Sequence, residues 1–326
     1  MDIQSEVYNL KRLFVLREAA ERLDLSAPPT ARVLYPQTLE PSRRVGILCG
    51  SFNPLTLAHT ELAERALTTF QLDSVLFTLA KVTVDKEQMI GMGLEDRLLL
   101  LALYTQQHSR LGVALVNRGL YFEQAQAFRA FLEKQVELSF LIGMDKLIQI
   151  LDPRYYQDRD IALDQLFSLA SLMVANRADM DEASFLQLLD QPENRPYRPT
   201  VRFFSLPTTI TDLSATAVRE ALSIGQSTKS QVPEETRAFV SETRAYHSSR
   251  HIDKETVDTY ALRLKLLASL YTARSWAEQE VDFRHLLYTA LSASEEGRAL
   301  RHASRETELL DLVRSLPLRS VSTSPS

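Results

Sequence analysis

The residues best suited to chemistry lie in two short stretches of this 326-residue sequence. The first, VGILCGSFNPLTLAHTELAERAL (Val45 to Leu67), passes from an apolar strand pattern into Gly50, through a polar turn with Pro54, and into an amphipathic helix pattern that begins close to His59. Gly50 lets the backbone approach an anion closely, and the helix start beyond it offers unpaired N–H groups to phosphate. A histidine donor held there suits a crowded polyphosphate, because in-line phosphoryl chemistry depends on positioning and charge neutralisation. The second stretch, TTITDLSATAVREAL, spaces Ser214, Thr216 and Arg219 as S-x-T-x-x-R. Two hydroxyls and a guanidinium in the first turns of a helix form a pocket for a triphosphate, with Arg219 as its bidentate cation. Neither stretch is a G-x-G-x-x-G fingerprint or a P-loop, both of which need further glycines.

These residues must be positioned by a sheet. Strand patterns at Val45–Cys49, Ser74–Leu79, Gly112–Val116, Leu138–Ile142, Ser171–Ala175 and Val201–Leu206 alternate with helix patterns such as Thr60–Phe70, Arg97–Gln106 and Phe122–Lys134. Such alternation implies crossover units, and so an α/β fold: a Rossmann-like, doubly wound parallel sheet with helices on both faces. Residues 1–42 read as an N-terminal helical extension, with a helix pattern over Glu6–Leu23 and a Pro-rich stretch through Pro28, Pro29, Pro36 and Pro41. The transferase core then spans 43–246. Beyond Tyr246 the expected character is all-helical over 247–315, with helix patterns at Glu255–Trp276 and Ala277–Ser292, and the Ser- and Pro-rich residues 316–326 read as a disordered tail. The C-terminal helices would cover the core or make a homo-oligomer contact.

Composition narrows the partners. Hydrophobic residues at 45% and charged residues at 24% are the proportions of a globular protein. No apolar run approaches the roughly 18 residues of a spanning helix, and the first residues lack a secretory pattern, so a cytoplasmic protein without membrane partners is expected. A net charge of −5 argues against a nucleic-acid-binding face and for a small anionic partner. The single cysteine, Cys49, excludes an internal disulfide framework and reads as a buried strand residue. His247 and His251 stand at H-x-x-x-H spacing but without an adjacent Asp, none of His247, His251, His285 and His302 lies in an H-E-x-x-H, and there is no G-x-S-x-G, which argues against metal-dependent and serine hydrolases. Asp179, Asp181 and Glu182 read as a solvated acidic loop.

GSFNPLTLAH resembles the G-S-F-N-P-x-T-x-x-H signature of the nucleotidyltransferases that share a Rossmann-like fold with class I tRNA synthetases. The variant with Asn53 and Thr56 is similar to that of nicotinamide mononucleotide adenylyltransferases. The resemblance implies that Gly50, Ser51, Phe52 and Asn53 bind ATP, with the Gly50 to Phe52 backbone along its phosphates, and that Thr56 and His59 hold those phosphates and stabilise the transition state. LSATAVR resembles the family's I-S-x-T-x-x-R motif, with Leu213 in place of Ile and Ser214, Thr216 and Arg219 in their expected places. LIGMDKL puts Asp145 where the family has G-x-D, implying a contact to a ribose or the acceptor, and VANRAD puts Arg177 near the nucleotide. IQILDPRYY resembles a run in a fungal and bacterial branch, its Tyr155 and Tyr156 reading as packing residues. Lys86 and Arg97 resemble the acceptor-side lysine and the helix arginine, with Lys81 competing for the lysine's role.

The resemblance covers residues 44–246 and lacks the family's W-E-S and T-Y-T segments, in whose place stands VNRGLYFEQAQAF. The implied reaction is adenylyl transfer from ATP to nicotinamide or nicotinate mononucleotide by direct attack. Magnesium (Mg2+) would be held mainly by the ATP phosphates and not by a protein metal site. Lys86 and Arg118 are candidates for distinguishing amide from carboxylate. The signature also allows adenylyl or cytidylyl transfer to phosphopantetheine, glycerol phosphate or flavin mononucleotide. A nucleotide-binding regulator without turnover is the alternative of a different class.

Overall fold

Strands such as VGILC and SVLFTLA carry apolar side chains toward both faces, which only a sheet covered by helices on each side can bury. The computed structural model, which describes residues 2–36, 42–81, 91–177, 180–273 and 281–316, has that arrangement. Strands β1 (Ala31–Tyr35), β2 (Arg44–Cys49), β3 (Ser74–Ala80), β4 (Leu111–Val116), β5 (Glu137–Gly143), β6 (Ser171–Ala175) and β7 (Val201–Phe204) form one seven-stranded sheet in the order β1-β4-β3-β2-β5-β6-β7. The strands β2 to β7 are parallel. Chain order reverses at β2, where Ile47 lies opposite Leu76 of β3 on one side and Phe140 of β5 on the other. The topological switch point of a doubly wound sheet therefore lies just beyond Cys49.

Helices α1 (Ile3–Val7) and α2 (Leu10–Glu21) precede the sheet. The crossovers contain α3 (Leu57–Thr69), α4 (Leu94–Thr105), α5 (Tyr121–Arg129), α6 (Met144–Leu151), α7 (Arg159–Leu169) and α8 (Glu182–Leu189), and β7 is followed by α9 (Thr208–Thr211), α10 (Ala215–Ser223) and α11 (Glu234–Thr243). A hairpin of β8 (Arg250–Ile252) and β9 (Glu255–Val257) then leads into α12 (Thr259–Ala273), α13 (Phe283–Ala290), α14 (Glu295–His302) and α15 (Glu306–Ser315). Alternate strand residues feed two cores. Ile47, Leu76 and Phe140 join α5, α6 and α7 on one face. Leu48, Phe77 and Leu141 join α3 and α4 on the other, in one apolar cluster that also holds Leu266, Leu270, Phe283 and Leu309 of the C-terminal helices. The C-terminal helices thus cover the core. No described helix is long and apolar enough to cross a membrane.

All six expected strands are present, and three local expectations are corrected. The N-terminal stretch is not helical throughout: ARVLY, bounded by Pro28, Pro29 and Pro36, adds β1 antiparallel to β4, with Ala31 opposite Val116. An edge strand tolerates flanking prolines, because its outer N–H groups have no ladder partner. The helix expected over Glu6–Leu23 is broken at Asn9, whose side chain accepts from the Arg12 N–H at 3.1 Å and starts α2 anew. The region after Tyr246 opens with the β8–β9 hairpin, and the helix expected from Glu255 begins at Thr259, where Asp258 accepts from the Ala261 N–H at 2.9 Å. Trp276, Ala277 and the tail from 317 onward lie outside the described residues.

Candidate active site

The loop leaving β2 is held by a buried ring. Phe52 is fully buried and adopts a left-handed φ of 42°, a conformation that costs a non-glycine residue ~1–3 kcal/mol. Its ring packs edge-on against Phe77, at 5.4 Å between centroids, and against His59 at 5.1 Å. A Cβ on Gly50 would sit 3.0 Å from that ring, so any larger residue there must displace the Phe52 ring. The loop is also bonded from outside. Arg97, only 5% exposed, donates from Nη1 to the Ser51 carbonyl at 2.9 Å. Asn53 is buried, and its Oδ1 accepts from the Met92 N–H at 3.0 Å and from the Tyr246 hydroxyl. Of these two nominated residues, Arg97 therefore reaches the loop backbone, and Asn53 directs its side chain into the protein.

His59 occupies the position in α3 from which a capping acid would reach back to the first residue of the turn. Its Nδ1 accepts from the Thr56 N–H at 3.1 Å and lies 2.8 Å from Thr56 Oγ1. That bond places the ring proton on Nε2, leaving one N–H donor for a ligand. Burial, followed by the nearby Arg177 charge, lowers its pKa to about 4, so the ligand-free ring is neutral at pH 7. A lowered folded-state pKa contributes stability that is present above the unfolded value of ~6.5 and is lost as pH falls through about 4. In the ligand-free protein the His59 ring protons are expected to titrate by NMR with a midpoint near 4, rising when a polyphosphate anion binds. A midpoint near ~6.5 would show an exposed, unconstrained ring.

The second motif meets the first at this end of the loop. Ser214 caps α10 by accepting from the Ala217 N–H at 3.1 Å. Arg219, half-buried on the next turn, donates from Nη1 to the Asn53 carbonyl at 2.8 Å and from Nη2 to Thr216 Oγ1 at 3.0 Å. Thr216 and Arg219 are thereby joined to the loop that carries Thr56 and His59. Nothing in the local sequence dictates the Arg219–Asn53 contact, which joins residues 166 positions apart.

Beyond the other end of the loop lies a cavity of ≈ 390 Å³ at the carboxyl ends of the strands. Gly50 and Ser51 border it, with Tyr121 and Gln124 of α5, Lys146 of α6 and the pair Tyr155 and Tyr156. Both tyrosines thus line the space rather than merely packing. Cys49 also borders it, donating from Sγ to Gln124 Oε1 at 2.7 Å, and burial pushes its thiol pKa far above the ordinary range, so it is no nucleophile at neutral pH. Asp145 and Arg177, nominated separately, form an ion pair of 2.7 Å between the ends of β5 and β6, with Arg177 on the cavity wall. Lys81 donates to the Leu23 carbonyl at 2.8 Å and is not among the residues lining the cavity. Arg118 bonds the Leu25 carbonyl at 2.8 Å and pairs with Glu123 at 3.2 Å. Lys86 and Asp179 lie outside the described residues. Asp181 caps α8, accepting from the Ser184 N–H at 3.0 Å. Lys146, Gln124 and Tyr121 were not nominated from the sequence, although Lys146 directly follows Asp145 and the other two lie in the VNRGLYFEQAQAF segment.

Comparison with known proteins places this geometry. The sequence model of the family described as Cytidylyltransferase-like matches residues 47–221. Among similar proteins, the "Probable nicotinate-nucleotide adenylyltransferase" of Synechococcus sp. (strain JA-3-3Ab) is 29% identical over 208 residues, covering 63% of this chain and 95% of its own. The protein of the same name from Geobacter sulfurreducens is 27% identical over 218 residues, covering 62% and 98%. A solved structure, Plasmodium falciparum nicotinic acid mononucleotide adenylyltransferase complexed with NaAD, superimposes with a TM-score of 0.48 at 14% identity, over 63% of this chain and 97% of that one.

Proposed function

Because the chain belongs to the Cytidylyltransferase-like family, and is a nucleotidyltransferase, we propose that it joins AMP from ATP to a pyridine mononucleotide and releases pyrophosphate. The observation that carries this reading is the cavity against the phosphate loop. Tyr121, Tyr155 and Tyr156 offer aromatic surface for a flat ring, and ≈ 390 Å³ falls within the ~300–1,000 Å³ of small-molecule pockets. The names of the similar bacterial proteins support the same acceptor class. Lys146 puts positive charge on the wall, Arg177 being paired with Asp145, and that charge favours nicotinate, with its carboxylate, over nicotinamide.

In this mechanism an oxygen of the acceptor's 5′-phosphate attacks the α-phosphorus of ATP. The bond from that phosphorus to the bridging oxygen of the β-phosphate breaks, and pyrophosphate leaves without a covalent enzyme intermediate. The neutral His59 donates from Nε2 to the phosphate oxygens, and Arg219 supplies the cation beside them. Thr56, Ser214 and Thr216 position the triphosphate, and the Asp145–Arg177 pair borders the nucleotide. Magnesium carried by ATP would supply charge neutralisation at the phosphates. Among the described residues no three His, Cys, Asp or Glu side chains gather as a metal site.

The test combines ATP or CTP with nicotinate mononucleotide, nicotinamide mononucleotide, phosphopantetheine, flavin mononucleotide and glycerol phosphate, and identifies products by mass. The expected product is the nicotinate dinucleotide from ATP, with kcat/KM for the amide lower by about tenfold. Turnover of a non-pyridine acceptor alone would overturn the acceptor reading and leave nucleotidyl transfer in place.

A further inference from the structure

We propose that Tyr260 and Arg263, on a C-terminal helix outside the residues matched by the family model, are positioning residues that hold the phosphate loop for nucleotidyl transfer. The inference extends the site into a region to which the family signature assigns nothing. It rests on a continuous chain of bonds.

Arg263 is fully buried, and Asp96, in the first turn of α4, is 1% exposed. The guanidinium donates from Nη2 to Asp96 Oδ1 at 2.8 Å and from Nε to Oδ2 at 3.2 Å. Tyr260 donates its hydroxyl to the same Oδ2 at 2.7 Å and accepts from the Gly93 N–H at 2.9 Å. Two residues of α12 thus fix the N-terminal turn of α4 at two points. A buried ion pair is weak evidence for stability, since both charges lose their hydration, but its directional bonds hold one arrangement. The pair is braced further by Arg263 Nη2 donating to the Val7 carbonyl at 2.8 Å.

That turn in turn holds the loop. Arg97, next to Asp96, donates to the Ser51 carbonyl at 2.9 Å, and the Met92 N–H donates to Asn53 Oδ1 at 3.0 Å. The approach is close: a Cβ on Gly91, whose φ is 121°, would sit 2.6 Å from Asn53 Oδ1 and 2.7 Å from the Tyr246 ring. The segment cannot shift without moving Asn53, whose carbonyl anchors Arg219. Phosphate positioning is sensitive to displacements of a fraction of an ångström, so slack in α12 is read out at the triphosphate.

The experiment uses the full chain and needs no acceptor: calorimetric binding of α,β-methylene-ATP with magnesium to Tyr260→Phe, at a temperature where circular dichroism shows full folding. The control is Arg301→Gln, which breaks another C-terminal ion pair (3.0 Å to Glu255), the other bonds of that guanidinium going to the Ala290 and Ser292 carbonyls. Tyr260→Phe is expected to weaken binding by about tenfold, and Arg301→Gln to leave it within about twofold. In turnover the loss should fall on kcat and on KM for ATP, not on KM for the acceptor. Wild-type affinity in folded Tyr260→Phe, or an equal loss in Arg301→Gln, would overturn the proposal. If Tyr260→Phe does not fold, Arg263→Lys, which keeps the cation but loses the fork, decides by the same criterion. Failure of the pyridine acceptor in turnover would leave the binding result standing, so the two readings fail separately.

Discussion

Replacing His59 with alanine is expected to lower kcat by on the order of 10²–10³-fold while the protein remains folded. The donor is preorganised: Nδ1 is occupied by the Thr56 N–H, the ring is pinned against Phe52 at 5.1 Å, and only Nε2–H is left for the reacting phosphates. A donor fixed in this way costs no reorganisation when charge shifts toward the leaving pyrophosphate. The alanine variant keeps the α3 backbone and loses one local bond at its start, so its folding loss should be ~1 kcal/mol. Steady-state turnover and circular dichroism check both parts. A folded variant with wild-type kcat would remove the loop from the catalytic account.

Arg219→Lys is expected to lower kcat/KM for ATP by about 10- to 100-fold with little change in Tm. The two terminal nitrogens of Arg219 diverge toward different acceptors, the Asn53 carbonyl at 2.8 Å and Thr216 Oγ1 at 3.0 Å. Lysine carries the same charge but presents one nitrogen, so it can satisfy one of these acceptors and leaves the other unheld. Because Arg219 is only half-buried, the folded state loses little. Equal kcat/KM in the two proteins would make the fork irrelevant, and a large fall in Tm would reassign Arg219 to structure.

What was legible in the sequence is what depends on local order. The strand-to-Gly50-to-helix passage and the S-x-T-x-x-R spacing are contained within single turns of chain, so His59, Thr216 and Arg219 could be named from them, and Thr56 from the resemblance of GSFNPLTLAH to a family signature, before their mutual geometry was known. Parallel strands buried on both faces also announce themselves as apolar runs. What escaped is set by register and by contacts between distant segments. Asp145 and Arg177 were each nominated, but their ion pair follows from β5 and β6 lying in register, with Gly143 opposite Ala175. Tyr155 and Tyr156 line the cavity because the turn after α6 brings them back toward the strand ends, a path no periodicity records. The strands β8 and β9 are three residues each, too short for an alternating pattern to outweigh the helical residues that follow. Arg263 reads as one more charged helix position, and its partner Asp96 is 167 residues away.

We propose transfer of the adenylyl group of ATP, α-phosphorus and adenosine together, onto a pyridine mononucleotide, and radiolabelled ATP tests it most directly. With purified protein, magnesium and nicotinate mononucleotide, label at the α-phosphorus should appear in the dinucleotide, and label at the γ-phosphorus in pyrophosphate, in equal amounts. Binding of ATP with no label transferred to any acceptor in the panel would contradict the claim and make the chain a nucleotide-binding regulator.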